Sequence, residues 1–126
     1  MGENNPKLVK VSCFVSRRPD RTHAEFEQYW TQVHARMLDK PIPGMPRVHR
    51  YVQLHPISGD LNGLSSAPYD GVAEIWFETF DEAVGALTSE HYKAIIAKDE
   101  ENFLDRAKTV FLFSDERVVV GEQLGA

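Results

Sequence analysis

An α+β fold, a four-stranded antiparallel sheet with helices on one face, is predicted by three features of this 126-residue sequence. Short stretches with period-2 alternation are interrupted by stretches with helical periodicity. Two Thr-x-x-Glu sequences mark the points where the chain turns helical. No apolar run approaches the ~20 residues needed to cross a bilayer.

The first strand covers residues 8–16, "LVKVSCFVS", where Val9, Val11, Cys13 and Val15 share one face and Lys10, Ser12 and Phe14 the other. "RRPDR" is then a turn, and Thr22 with Glu25 opens the first helix as a capping box. That helix is expected to reach about Leu38, where three prolines and a glycine in "DKPIPGMP" end it. A second strand runs from Val48 to His55. Its parity sets Val48, Arg50, Val52 and Leu54 against His49, Tyr51, Gln53 and His55. "PISGDLNGLSSAPYD" is long for a connection in a compact domain, and such loops are disordered or functional. Gly71 to Phe77 is the third strand, and Thr79 with Glu82 caps a helix through about Leu87. Ser89 caps a further helix to roughly Asp105; "TVFLF" supplies a fourth strand and "RVVV" a short fifth. The order β-α-β-β-α-(α)-β is the ferredoxin-like split arrangement. Residues 1–126 read as one domain, with its core at about 8–118.

A net charge of −5, a pI near 5.5 and the absence of a basic run argue against nucleic-acid binding. A single cysteine, Cys13, excludes an internal disulfide and suits a reducing compartment. "MGENNPK" has no apolar segment of the signal-peptide kind, so a cytoplasmic location is expected, with no membrane partner.

A four-stranded sheet with helices on one side leaves its other face bare. Here that face would carry Phe14, Tyr51, Val72 and Trp76, too apolar to stay wet, so a homodimer is expected. On this parity Val52, Leu54, Ala73 and Ile75 turn toward the helices. His49, Tyr51, Gln53, Glu74 and Trp76 collect inside the dimer, with Glu74 paired across it to Arg50, His49 or Tyr51.

The stretches "FEQYWTQVHARM", "RYVQLH", "YDGVAEIWFETFDEA" and "FLDRAKTVFLF", in this order over about residues 8–118, resemble the EthD-like family of the dimeric α+β barrel superfamily. The resemblance implies a homodimer with a substrate pocket between sheet and helices. It also implies chemistry without a bound cofactor, drawn from cyclisation, isomerisation, decarboxylation or cofactor-independent oxygenation.

Phe26, Trp30 and His34 are spaced i, i+4, i+8 and share a helical face, with Met37 beside them. An imidazole on such a face meets little water, and a neutral imidazole is a competent general base. The alternative is a core histidine with one hydrogen bond; the resemblance, which puts a histidine at this position beside the cavity, favours His34 as catalytic. His91, in the first turn after Ser89, is the second catalytic candidate. In plant polyketide cyclases of the superfamily a catalytic histidine lies in this segment. Their tyrosine two turns earlier is unmatched, since Gly85, Ala86 and Leu87 occupy that stretch. Phe26, Trp30, Tyr92 and Phe103 are candidates for an aromatic slot around a flat ligand, and Tyr69 with Asp70 for a lid.

No HExxH, CxxC or Gly-rich phosphate loop occurs, so neither a metal nor another cofactor is expected. Cys13 lies mid-strand without a partner, and no serine sits in a nucleophile elbow. Three readings remain: a lyase or isomerase using histidine acid–base chemistry on an aromatic, polyketide-like or lactone substrate; a cofactor-independent monooxygenase of a phenol; and a non-catalytic ligand-binding dimer.

Overall fold

The computed structural model describes residues 8–122. Strand β1 (Val9–Val15) leads into helix α1 (His23–Gln32), which continues as a 3-10 segment, His34–Met37. Strands β2 (Arg50–Leu54) and β3 (Gly71–Phe77) follow, then helix α2 (Phe80–Leu87). Helix α3, residues 90–100, contains a π-helical stretch, Tyr92–Ala97. Strand β4 (Val110–Asp115) closes the sheet in the order β2-β3-β1-β4, every neighbouring pair antiparallel. The expected α+β class and ferredoxin-like topology are therefore present. "RVVV" forms no strand, and no helix among the described residues is long and apolar enough to cross a membrane.

Both helix starts behave as their sequences dictate. Thr22 Oγ1 accepts from the Glu25 amide at 3.1 Å and the Glu25 carboxylate accepts from the Thr22 amide at 2.8 Å. Thr79 Oγ1 accepts from the Glu82 amide at 3.0 Å. Such caps satisfy amides that the first turn leaves orphaned, worth about 1 kcal/mol each.

The core lies between the sheet and the helices. Cys13, Val15 and Ala73 pack against Phe26, Trp30 and Phe103, while Val11, Ile75 and Phe77 pack against Ala83 and Ala86 of α2. Gly71 is required by this packing, because a Cβ there would stand 2.6 Å from Trp30 Cζ3.

Strand β2 overturns the expected parity. Its register pairs Tyr51 with Ile75 and Gln53 with Ala73, so both face the helices instead of the dimer side. Arg50, Val52 and Leu54 pair with Trp76, Glu74 and Val72, and these six share the open face. Alternation alone favours the more hydrophobic Val52 and Leu54 face for the core. In the observed register the half-buried Tyr51 hydroxyl on the helix side instead accepts from the Gln53 amide at 2.9 Å. Glu74 does lie on the open face, and within the chain it meets Lys10 Nζ at 3.0 Å and the Ser12 hydroxyl at 3.5 Å. Trp76 keeps its expected face. Lys10 and Arg50 lie over its ring at 5.4 and 4.7 Å, and its indole N–H donates to Glu116 at 2.6 Å.

Candidate active site

His34 is placed by a change of helix type. The expected helix to Leu38 ends as α-helix at Gln32; Val33, at φ −112° and ψ −62°, leads into the tighter 3-10 turn that His34 begins. Facing it is the π-helical stretch of α3. Tyr92, Ile96, Ala97, Asp99 and Glu100 all turn inward. Single π-helical insertions of this kind concentrate at functional sites.

These two irregular segments meet at a buried acid–histidine pair. His34 Nδ1 lies 2.9 Å from Asp99 Oδ2, and both side chains are under a tenth exposed. The pair is held by a second layer: the Tyr29 hydroxyl donates to Asp99 Oδ1 at 2.6 Å and the Asn102 amide to the same oxygen at 3.1 Å. Burial opposes charge on Asp99, but hydrogen bonds from Tyr29, His34 and Asn102 outweigh it and hold the carboxyl below its ordinary value. Asp99 is thus an ionised acceptor, so Nδ1 carries the hydrogen. Nε2 has no hydrogen-bond partner among the described residues.

A cavity of about 30 Å³ reaches this ring, lined also by Cys13, Trp30, Tyr51, Tyr92 and Glu100. That is far below the roughly 300–1,000 Å³ of small-molecule sites. The Tyr92 hydroxyl donates to Glu100 Oε2 at 3.0 Å, while Arg106 Nε stands 3.8 Å from Glu100 Oε1. Burial raises the Glu100 carboxyl above its ordinary value, against the opposing pull of His34, Tyr92 and Arg106. Burial and the nearby Glu100 push the Tyr92 phenol up. The same two causes push the Cys13 thiol up to about 12, which leaves it a poor nucleophile at neutral pH.

The other sequence candidates divide by position. Trp30 and Tyr92 join His34 at the cavity. Phe26 and Phe103 are core rings, with Phe103 4.9 Å from the His34 ring and Phe26 5.2 Å from Trp30. Met37 packs on the Tyr92, Ile96 and Ala97 cluster without lining the cavity. Tyr69 packs 5.4 Å from Phe14, a residue of the open face, and so lies away from the His34 cavity. Asp70 holds the Arg17 amide and guanidinium at 2.8 and 2.9 Å, and the His23 ring at 2.9 Å. His91 is exposed and sits against Gly44, whose φ of +83° opens the space; it does not line the cavity.

Asp99 and Glu100 were missed by sequence reasoning. Their signal is present: with Tyr92, Ile96 and Phe103 they fall at helical spacing on one face, so two acids interrupt an apolar stripe. Tyr51 was assigned to the wrong face. Among the described residues no group of three or more His, Cys, Asp or Glu side chains could hold a metal ion.

Comparison with known proteins agrees with this architecture. The family model described as "EthD domain" matches residues 18–107. An ethyl tert-butyl ether D (EthD) family protein of Bacillus halodurans aligns over 87% of this chain and 99% of its own, at 20% identity and a TM-score of 0.60. A DABB family protein with a ferredoxin-like fold from Mesorhizobium loti aligns over 91% and 99%, at 14% identity and a TM-score of 0.60. A dimeric ferredoxin-like protein of unknown function from Thermobifida fusca aligns over 89% and 93%, at 17% identity and a TM-score of 0.55. At these identities the likeness concerns the fold. No curated protein matches the sequence.

Proposed function

The chain belongs to the EthD domain family, and we propose that it is a small enzyme in which His34 carries protons to and from carbon, on an aromatic, polyketide-like or lactone substrate bearing a carbonyl. One observation carries this reading: Nδ1 of His34 is held by Asp99 while Nε2 is left free beside a cavity. Nε2 takes a proton from a carbon next to the carbonyl, and Asp99 stabilises the imidazolium that forms. The same nitrogen then returns the proton to another carbon or to oxygen, which completes an isomerisation or an aldol-type ring closure. The raised Cys13 thiol supports chemistry without a covalent thioester.

Proton transfer can be followed before the substrate is known. A panel of β-dicarbonyls, phenolic acids and lactones in deuterated buffer, read by NMR, is expected to show enzyme-dependent deuterium uptake in at least one class. His34→Ala should lower that rate by ~10²–10⁴-fold. Equal uptake with the variant would overturn the assignment. A second reading, a ligand-carrying dimer without catalysis, draws on the small volume beside His34. It is the better one if no panel member exchanges and ligands still bind.

The reading includes a homodimer. Leu54, Val110 and Leu112 of the open face are half exposed in the single chain, beside Phe14, Val52 and Val72. A bare sheet face of this composition favours a second copy over water. Light scattering is expected at twice 14.3 kDa; a value at the monomer mass would remove the dimer.

A further inference from the structure

The chamber beside His34, at about 30 Å³, is far below the roughly 300–1,000 Å³ of small-molecule sites, so a substrate of the proposed class extends beyond it. Next to it is a groove of about 570 Å³, formed by the segment 38–51. That volume is in the range of small-molecule sites. Leu38 and Tyr51 line both spaces and are the wall between them.

The groove's chemistry differs from that of the chain. Its floor is apolar, with Leu38, Ile42, Met45 and Tyr51. Its charged lining is Lys40, Arg47 and Arg50 against the single acid Asp39, in a protein whose net charge is −5. None of the three cations has a carboxylate partner within ion-pair distance among the described residues; Arg50 lies instead over the Trp76 ring. The His49 ring completes this side with Nε2 enclosed and without a hydrogen bond, the Glu78 carboxylate standing 3.5 Å off. Uncompensated cations around an apolar floor complement one ligand chemistry: an apolar body with an anionic head.

We propose that this groove binds the carboxylate-bearing body of the substrate, with Lys40 and Arg47 holding the carboxylate and the reacting carbon directed past Leu38 and Tyr51 to His34. The substrate class is an amphiphilic carboxylic acid, aromatic or alicyclic, with its carbonyl at the end away from the acid. The inference rests on the proton-transfer reading for what happens at His34, but not for the binding itself.

The test uses the full-length protein and two probes of equal shape, 2-naphthoate and 2-naphthamide, followed by naphthalene fluorescence. Naphthoate is expected to bind about tenfold or more tighter than the neutral amide, the scale of a charge-assisted hydrogen bond. The double variant Lys40→Glu/Arg47→Glu changes two exposed residues. It should remove that preference while leaving naphthamide within about twofold. His34→Ala should leave the preference intact, so failure at His34 and failure at the groove are read separately. Equal affinity for the two probes, a preference that survives the double variant, or binding of neither because a second copy covers the groove would each overturn the proposal.

Discussion

Among the described residues two aspartate–histidine pairs share the same 2.9 Å Nδ1–carboxylate distance, and of these only the His34–Asp99 pair has the makings of a catalytic site. In the His34–Asp99 pair both side chains are nearly sealed from water, at 5% and 8% exposure. In the His23–Asp70 pair the histidine is 41% exposed. The decisive difference is at the second ring nitrogen. His23 Nε2 is already taken, 3.2 Å from Glu27, and the same Glu27 oxygen also meets His55 at 3.1 Å. His34 Nε2 is free at a cavity. Close approach to a carboxylate therefore identifies neither base nor site; an unoccupied nitrogen with space before it does.

The largest effect that tests this contrast comes from removing the two aspartates. Asp99→Ala strands the buried Nδ1–H of His34, while the half-exposed Tyr29 hydroxyl can turn to water. An unsatisfied buried group costs ~1–3 kcal/mol, more where the lost partner was charged, so a loss of roughly 2–3 kcal/mol is expected in urea unfolding. Deuterium uptake by substrate should fall with it, and Asp99→Asn should recover stability better than uptake, because it keeps the shape but not the carboxylate that supports the imidazolium. Asp70→Ala breaks partly exposed contacts and should cost about 1 kcal/mol. Equal destabilisation by the two alanine variants would erase the distinction between the pairs.

A mid-sized effect lies behind the cavity wall. Gly71→Ala forces a methyl group into the Trp30 ring, 2.6 Å from Cζ3, and overpacking of this kind costs ~1–3 kcal/mol. Trp30 fluorescence should shift as the ring moves. An unchanged spectrum with full stability would mean that the indole is loosely held, and that the cavity it lines is larger than the structure gives it.

What the sequence made legible was whatever local rules govern. The caps at Thr22 and Thr79 located both helix starts, and alternation found all four strands, because period and capping act within a few residues. The site was only half legible. His34 announced itself as a polar residue on the Phe26–Trp30 face. Asp99 and Glu100 did not, since acids in "KDEEN" read as a solvated helix end unless their spacing from Tyr92 and Ile96 is followed. The faces of β2 run against alternation, since Val52 and Leu54 outweigh Tyr51 and Gln53 in hydrophobicity while the register turns Tyr51 and Gln53 toward the helices. The helix that carries His34 ended early for a reason no spacing carries: Val33, at φ −112°, closes the α-helix one residue before it.

The smallest effect separates the neighbouring acids Asp99 and Glu100 by pH. Asp99 has a folded value below its free value of 3.8, so it contributes stability that is present above pH 3.8 and is lost as pH falls through the lower folded value. Asp70 behaves the same way, its desolvation outweighed by the Arg17 amide, His23 and the Arg17 side chain. Glu100 has the opposite sign. Its folded value lies above 4.5, so burying the ionised form costs stability at neutral pH, and that cost disappears as pH falls through the raised value. Glu100→Gln keeps an acceptor for the Tyr92 hydroxyl and removes the buried charge. It should therefore raise stability at pH 8, on the order of 1 kcal/mol, and change little below pH 4.5. Chemical unfolding at both pH values measures the difference. A loss of stability at pH 8 would mean that Arg106 holds Glu100 as a compensated ion pair.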